Sequence, residues 1–126
     1  MSFLTPPKVL IVDDDVVVSQ MLGGFLSTKG FEVVFANDGI EALKFLEEQA
    51  PFPDFIVSDL NMSGMGGAEF VHLLKSNFKT ASIKVILCSA QAGLAAKAET
   101  LGAHSYLRKP YKLDALLALL GESHSP

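Results

Sequence analysis

Short apolar runs alternate with longer stretches in which apolar residues recur every three or four positions. Lys8-Val9-Leu10-Ile11-Val12 has no polar alternation, the pattern of a strand covered on both faces. After three aspartates, Val17, Val18, Met21, Leu22 and Phe25 recur at helical spacing, and Gly30 ends that helix as a C′ glycine. Phe31 to Ala36 forms a second strand. Asp38 and Glu41 then have capping-box spacing before a helix carrying Ile40, Leu43, Leu46 and Glu47, with Pro51 and Pro53 beyond its end. Asp54 to Ser58 is a third strand that closes on Asp59. A glycine-rich loop from Asn61 to Gly67 leads to a helix with Phe70, Val71, Leu73 and Leu74. Ile83 to Cys88 is a fourth strand, followed by an alanine-rich helix over Ala92 to Leu101 that Gly102 breaks. Ser105 to Lys109 is a fifth strand, and Leu113, Leu116, Leu117 and Leu120 stripe a last helix.

This alternation predicts a single α/β domain with a parallel sheet and helices on both faces. The expected boundaries are a tail over 1–7, the domain over 8–121, and a frayed tail or linker stub over 122–126. In open sheets of this kind the functional crevice lies beyond the carboxyl ends of the strands. Asp13 and Asp14 stand at the end of the first strand, Asp59 at the third, Ser89 at the fourth and Lys109 at the fifth. Carboxylates gathered this closely are costly: two unit charges about 4 Å apart repel by roughly 4 kcal/mol at an effective dielectric of about 20. Such a group is tolerable only with a bound cation, a proton or a lysine nearby, and all-oxygen ligands suit Mg²⁺, which takes few carboxylates and bridges to phosphate. Lys109 would offset part of the remaining charge.

Composition narrows the alternatives. With 126 residues, 49% of them hydrophobic, the chain can bury one sizeable core and is not disordered. The formal charge is −4, with no basic stripe, so direct nucleic-acid binding is not expected. Nothing approaches the roughly 20 apolar residues of a membrane helix, and the first residues lack the basic and apolar regions of a secretion signal. The one cysteine, Cys88, cannot form an internal disulfide, which fits a cytoplasmic setting, and is read as a small buried hydrophobe.

Four motifs, in order, carry a family resemblance: Val12-Asp13-Asp14-Asp15, Ser58-Asp59-Leu60-Asn61-Met62, Cys88-Ser89-Ala90, and Tyr106-Leu107-Arg108-Lys109-Pro110. Each is common alone; together, over nearly the whole chain, they resemble the response-regulator receiver domains of two-component systems, including chemotaxis regulators. The resemblance implies a flavodoxin-like (βα)5 fold with strand order 2-1-3-4-5. It implies that Asp59 accepts a phosphoryl group, with Mg²⁺ held by Asp13, Asp14, Asp59 and the backbone carbonyl of Asn61. Ser89 and Lys109 would contact the phosphoryl group, Ser89 and Tyr106 would form the switch, and Lys109-Pro110 would be a cis peptide. Asp15 is read as the start of the first helix and not as a ligand. Asn61 and Gln91 occupy positions that tune phosphoryl lifetime in the family.

The implied partners are a sensor histidine kinase or phosphotransfer protein upstream, and an output partner or C-terminal effector domain downstream. The surface of the fourth helix, fifth strand and fifth helix would be the readout and a homodimer face. The chain would be a signalling switch and not an enzyme acting on other substrates. Two features depart from the family pattern: Ser63 stands where proline usually follows methionine, and Gly66 where an acidic or amide residue is usual. They leave open a phosphate-independent pseudo-receiver. A flavin-binding protein of similar fold is disfavoured by the aspartates, and an aspartyl phosphohydrolase by the lack of a cap.

Overall fold

The computed structural model describes residues 6–49 and 51–124, with side chains to 121. The tail over 1–5, residue 50 and the last two residues lie outside the described residues. Strands β1 (Lys8–Val12), β2 (Glu32–Ala36), β3 (Phe55–Asp59), β4 (Lys84–Ser89) and β5 (Ser105–Arg108) form one parallel sheet in the order β2-β1-β3-β4-β5. Helices α1 (Val16–Thr28), α2 (Gly39–Glu48), α3 (Gly67–Ser76), α4 (Leu94–Leu101) and α5 (Leu113–His124) connect and follow them. This is the flavodoxin-like (βα)5 arrangement that the alternation and the resemblance anticipate.

The central strands lack polar alternation because both of their faces are covered. Val9, Ile11, Phe55, Val57, Ile86 and Cys88 pack with Leu22 and Leu26 of α1 and with Leu116 and Leu120 of α5. Leu10, Val12, Ile56, Val85 and Leu87 face the other way, against Leu46 of α2, Phe70, Val71 and Leu74 of α3, and Leu94 and Ala98 of α4. Each fully buried side chain of this size contributes about 1.5–3 kcal/mol of transfer free energy, so the two layers fix the sheet beneath the strand ends.

Helix boundaries follow local chemistry. Asp15 caps α1, its Oδ1 accepting from the N–H groups of Val17 and Val18 at 3.1 and 3.2 Å. Gly30 follows the end of α1 with φ of 94°, a left-handed conformation that favours glycine. Asp38 caps α2 by accepting from Glu41 N–H, while the Glu41 carboxylate reaches Asn37 N–H, one residue earlier than in a standard capping box.

Several details differ from the sequence reading. The α1 face turned to the sheet runs through Ser19, Leu22, Gly23 and Leu26, whereas Val17 and Met21 are exposed. Ile40 of α2 and Leu73 of α3 also face solvent. α4 begins at Leu94, two residues later than expected, because Gly93 takes a left-handed conformation. α5 runs through Gly121 to His124, into the segment expected to be a frayed tail or linker stub.

Candidate functional site at the carboxyl ends of the strands

Asp13 follows β1 directly and is buried at its mouth. Its backbone N–H donates to the Ala36 carbonyl at 3.1 Å, and its Oδ1 accepts from Asp15 N–H at 2.9 Å. Asp14, one residue on, is exposed. Its Oδ2 accepts from the Ser63 N–H at 2.9 Å and from the Ser63 hydroxyl at 3.2 Å. Asp59 ends β3 and is half-buried. One oxygen from each of Asp13, Asp14 and Asp59 lies within 4.8 Å of the others.

Lys109, beyond β5, leans over this group. Its Nζ is 3.2 Å from Asp59 Oδ1 and 3.9 Å from Asp13 Oδ2. Its position is fixed through the backbone, where its N–H donates to the Ser89 carbonyl at 2.9 Å. The Lys109-Pro110 peptide is cis. Ser89 ends β4 and is almost fully buried. Its hydroxyl accepts from Gln91 N–H at 2.9 Å and from the Asn61 side-chain amide at 3.4 Å. Tyr106 stands apart from this group: it pairs in register with Leu87, two residues before Ser89, and its side chain is 44% exposed.

Charge explains how these groups titrate. Burial raises the Asp13 pKa, the carboxylates of Asp59 and Asp14 raise it further, and the Asp15 N–H and the Lys109 ammonium oppose the rise without cancelling it. Desolvation pulls the Lys109 ammonium down, but Asp59, by charge and hydrogen bond, and Asp13 outweigh it, so its pKa is raised. One ammonium against three carboxylates leaves the cluster net negative. The donors are all oxygens, and a hard divalent ion such as Mg²⁺ fits that set.

The loop after β3 lies against the site because Gly67 has no Cβ. A Cβ there would fall 2.3 Å from the Asp59 carbonyl oxygen and 2.7 Å from Leu60 Cα. Instead the Gly67 N–H donates to the Leu60 carbonyl at 2.9 Å. Tyr111, which the sequence does not distinguish from any other loop residue, packs against the core layer that contains Cys88, beneath the site. Burial pushes the Cys88 thiol up to about 12, which keeps it protonated and inert. None of the described helices is long and apolar enough to cross a membrane.

Comparison with known proteins agrees with this architecture. The chain is 36% identical over 116 residues to the chemotaxis protein CheY of Listeria monocytogenes, covering 90% of this chain and 94% of that one. It is 35% identical over 116 residues to the probable transcriptional regulator ycf29 of Pyropia yezoensis, covering 90% of this chain and 51% of that one. The chain therefore spans about half the length of the latter relative. The solved structure of the chemotaxis response regulator CheY4 of Vibrio cholerae superposes with a TM-score of 0.84 at 32% identity, covering 94% of this chain and 98% of that one. Residues 9–121 match the response regulator receiver domain as a family. With that match over the sheet, the helices and the acidic pocket, the chain belongs to the response regulator receiver domains of two-component signalling.

Proposed function

We propose that this domain, over residues 8–121, is a phosphoacceptor switch in which Asp59 takes a phosphoryl group from a phosphohistidine of a sensor histidine kinase or phosphotransfer protein. A carboxylate oxygen of Asp59 forms the new bond to phosphorus while the bond from phosphorus to the donor imidazole nitrogen breaks, and the imidazole leaves with the electron pair. The observation that carries this reading is the contact of Lys109 Nζ with Asp59 Oδ1 at 3.2 Å inside a three-carboxylate cluster. Asp13, Asp14, Asp59 and the Asn61 carbonyl would hold Mg²⁺. When bound, that ion supplies charge neutralisation for the transferring group.

Lys109 would move its ion pair from Asp59 to a phosphoryl oxygen, and Ser89 would donate its hydroxyl to another. Its hydroxyl oxygen now accepts from Gln91 and Asn61, which leaves its proton for that contact. Each charge-assisted hydrogen bond contributes about 1.5–3 kcal/mol, and shifting a population from 1:99 to 99:1 takes about 5.5 kcal/mol. Two such contacts reach that range. As Ser89 moves, Tyr106 would turn inward, and the surface of α4, β5 and α5 would change toward an output partner, an effector domain or a second copy. The domain would promote only its own phosphorylation and dephosphorylation, in the cytoplasm.

Incubation with a small phosphodonor and Mg²⁺ tests this. Intact mass should rise by one phosphoryl group, and Asp59→Asn should abolish the gain. A wild-type protein that never gains mass would instead be a phosphate-independent interaction module.

A further inference from the structure

We infer that Ser63 is a positioning residue for the metal site, holding Asp14 and the loop after β3 in the arrangement that binds Mg²⁺. This rests on the phosphoacceptor reading above. The three carboxylates are not held equally. Asp13 is buried and receives the Asp15 N–H; Asp59 is half-buried and pairs with Lys109. Asp14 is exposed, and among the described residues the hydrogen bonds to its carboxylate both come from Ser63, through backbone N–H and hydroxyl to the same oxygen. Without them an exposed aspartate next to two like charges would turn toward solvent.

A carboxylate offers about four lone-pair sites, so the two donors on Oδ2 leave others for an ion. Neutral donors of this kind fix a ligand's orientation and also lessen the repulsion it meets. The same bonds tie the loop down. Asn61, whose carbonyl is a proposed ligand, lies two residues before Ser63. Gly64, with φ of 72°, turns the chain immediately after it, against Asp38. Met65 then accepts from Gly39 N–H at 3.3 Å. Ser63 therefore joins the ligand at the end of β1 to the segment that carries the ligand after β3. Proline at this place would have neither donor, so the coupling depends on the serine that this chain carries.

The test is calorimetric Mg²⁺ titration of the full chain and its Ser63 variants, with amide NMR spectra recorded along the titration. Mutating such a supporting partner typically weakens metal binding by about 10–100-fold. Ser63→Pro, which removes both donors, should raise Kd by about tenfold. Ser63→Ala, which keeps the N–H, should fall between, and Ser63→Thr, which keeps both, should stay near wild type. The Ser63 amide signal of the wild type should shift along the same isotherm as the heat. Spectral dispersion like that of the wild type shows that each variant is folded. A Ser63→Pro variant that binds Mg²⁺ as tightly as wild type, or more tightly, overturns the inference while leaving the phosphoacceptor reading intact. A wild type with no saturable Mg²⁺ binding overturns both.

Discussion

Asp13 shows how the surroundings of one side chain work against its charge. It is buried, faces two other carboxylates, and gains only partial relief from the Asp15 N–H and a lysine 3.9 Å away. Its folded-state pKa therefore lies above the unfolded value of about 3.9. The folded protein then binds more protons than the unfolded chain in that interval, so the contribution of Asp13 is complete below the unfolded pKa and is lost as pH rises through the folded one. Asp13→Asn removes the charge and keeps an Oδ1 acceptor for Asp15. In chelator at pH 7 it should leave the fold more stable than the wild type. Urea unfolding of both proteins across pH 3–7 checks this: the advantage of the variant should grow as pH rises, and a constant or shrinking gap would contradict the assignment. At the same scale, the sequence marks Ser63 as a departure from the family pattern without showing its partner, and it does not mark Tyr111 at all. A serine in a glycine-rich loop shows its two donors only once the fold brings Asp14 against it, and the packing of Tyr111 against the layer of Cys88 joins two segments that no spacing rule relates.

Elements were legible where a local rule is strong, and less so where burial depends on shape. The strand runs, Gly30, Asp38 and Gly102 mark their boundaries through rules that act over a few residues. The phase of α1 was not legible, because Val16, Val17, Val18, Met21, Leu22 and Phe25 offer apolar groups on several sides. Its buried face includes Ser19 and Gly23, small residues that hydropathy does not flag; a Cβ on Gly23 would lie 2.4 Å from the Phe35 ring. Close approach of α1 to β2 selects that face. At the start of the same helix three aspartates follow one another, and the fold divides their work. Asp13 and Asp14 enter the pocket, while Asp15 turns back to cap the helix. Asp15→Ala should therefore cost about 1 kcal/mol in urea unfolding and leave the Mg²⁺ dissociation constant within about twofold, because its carboxylate is turned to the helix and lies outside the proposed ligand group. A tenfold loss of Mg²⁺ affinity would place Asp15 among the ligands instead.

At the scale of the whole molecule, the two packed layers and the acidic pocket pull in opposite directions. The layers bury the apolar residues of the sheet on both faces, while the strand ends beyond them gather three carboxylates against one ammonium in a chain of net charge −4. The metal-free fold thus carries electrostatic repulsion that unfolding would relieve by separating Asp13 from Asp59 by dozens of residues. An ion bound by the folded pocket and not by the unfolded chain stabilises the fold by RT ln(1 + [L]/Kd), about 2.7 kcal/mol at a hundredfold excess over Kd. For a domain of this size that is a rise in thermal midpoint on the order of 10 °C. Thermal unfolding with chelator and with graded MgCl₂ at constant ionic strength should show a midpoint that climbs with the logarithm of Mg²⁺ above Kd. Asp14→Asn should flatten the climb, because one carboxylate of the proposed site is gone, while an equal ionic strength of NaCl should not reproduce it, since screening weakens repulsion without occupying the site. A midpoint that responds equally to both salts would mean that the pocket is merely acidic and that its carboxylates hold no particular ion.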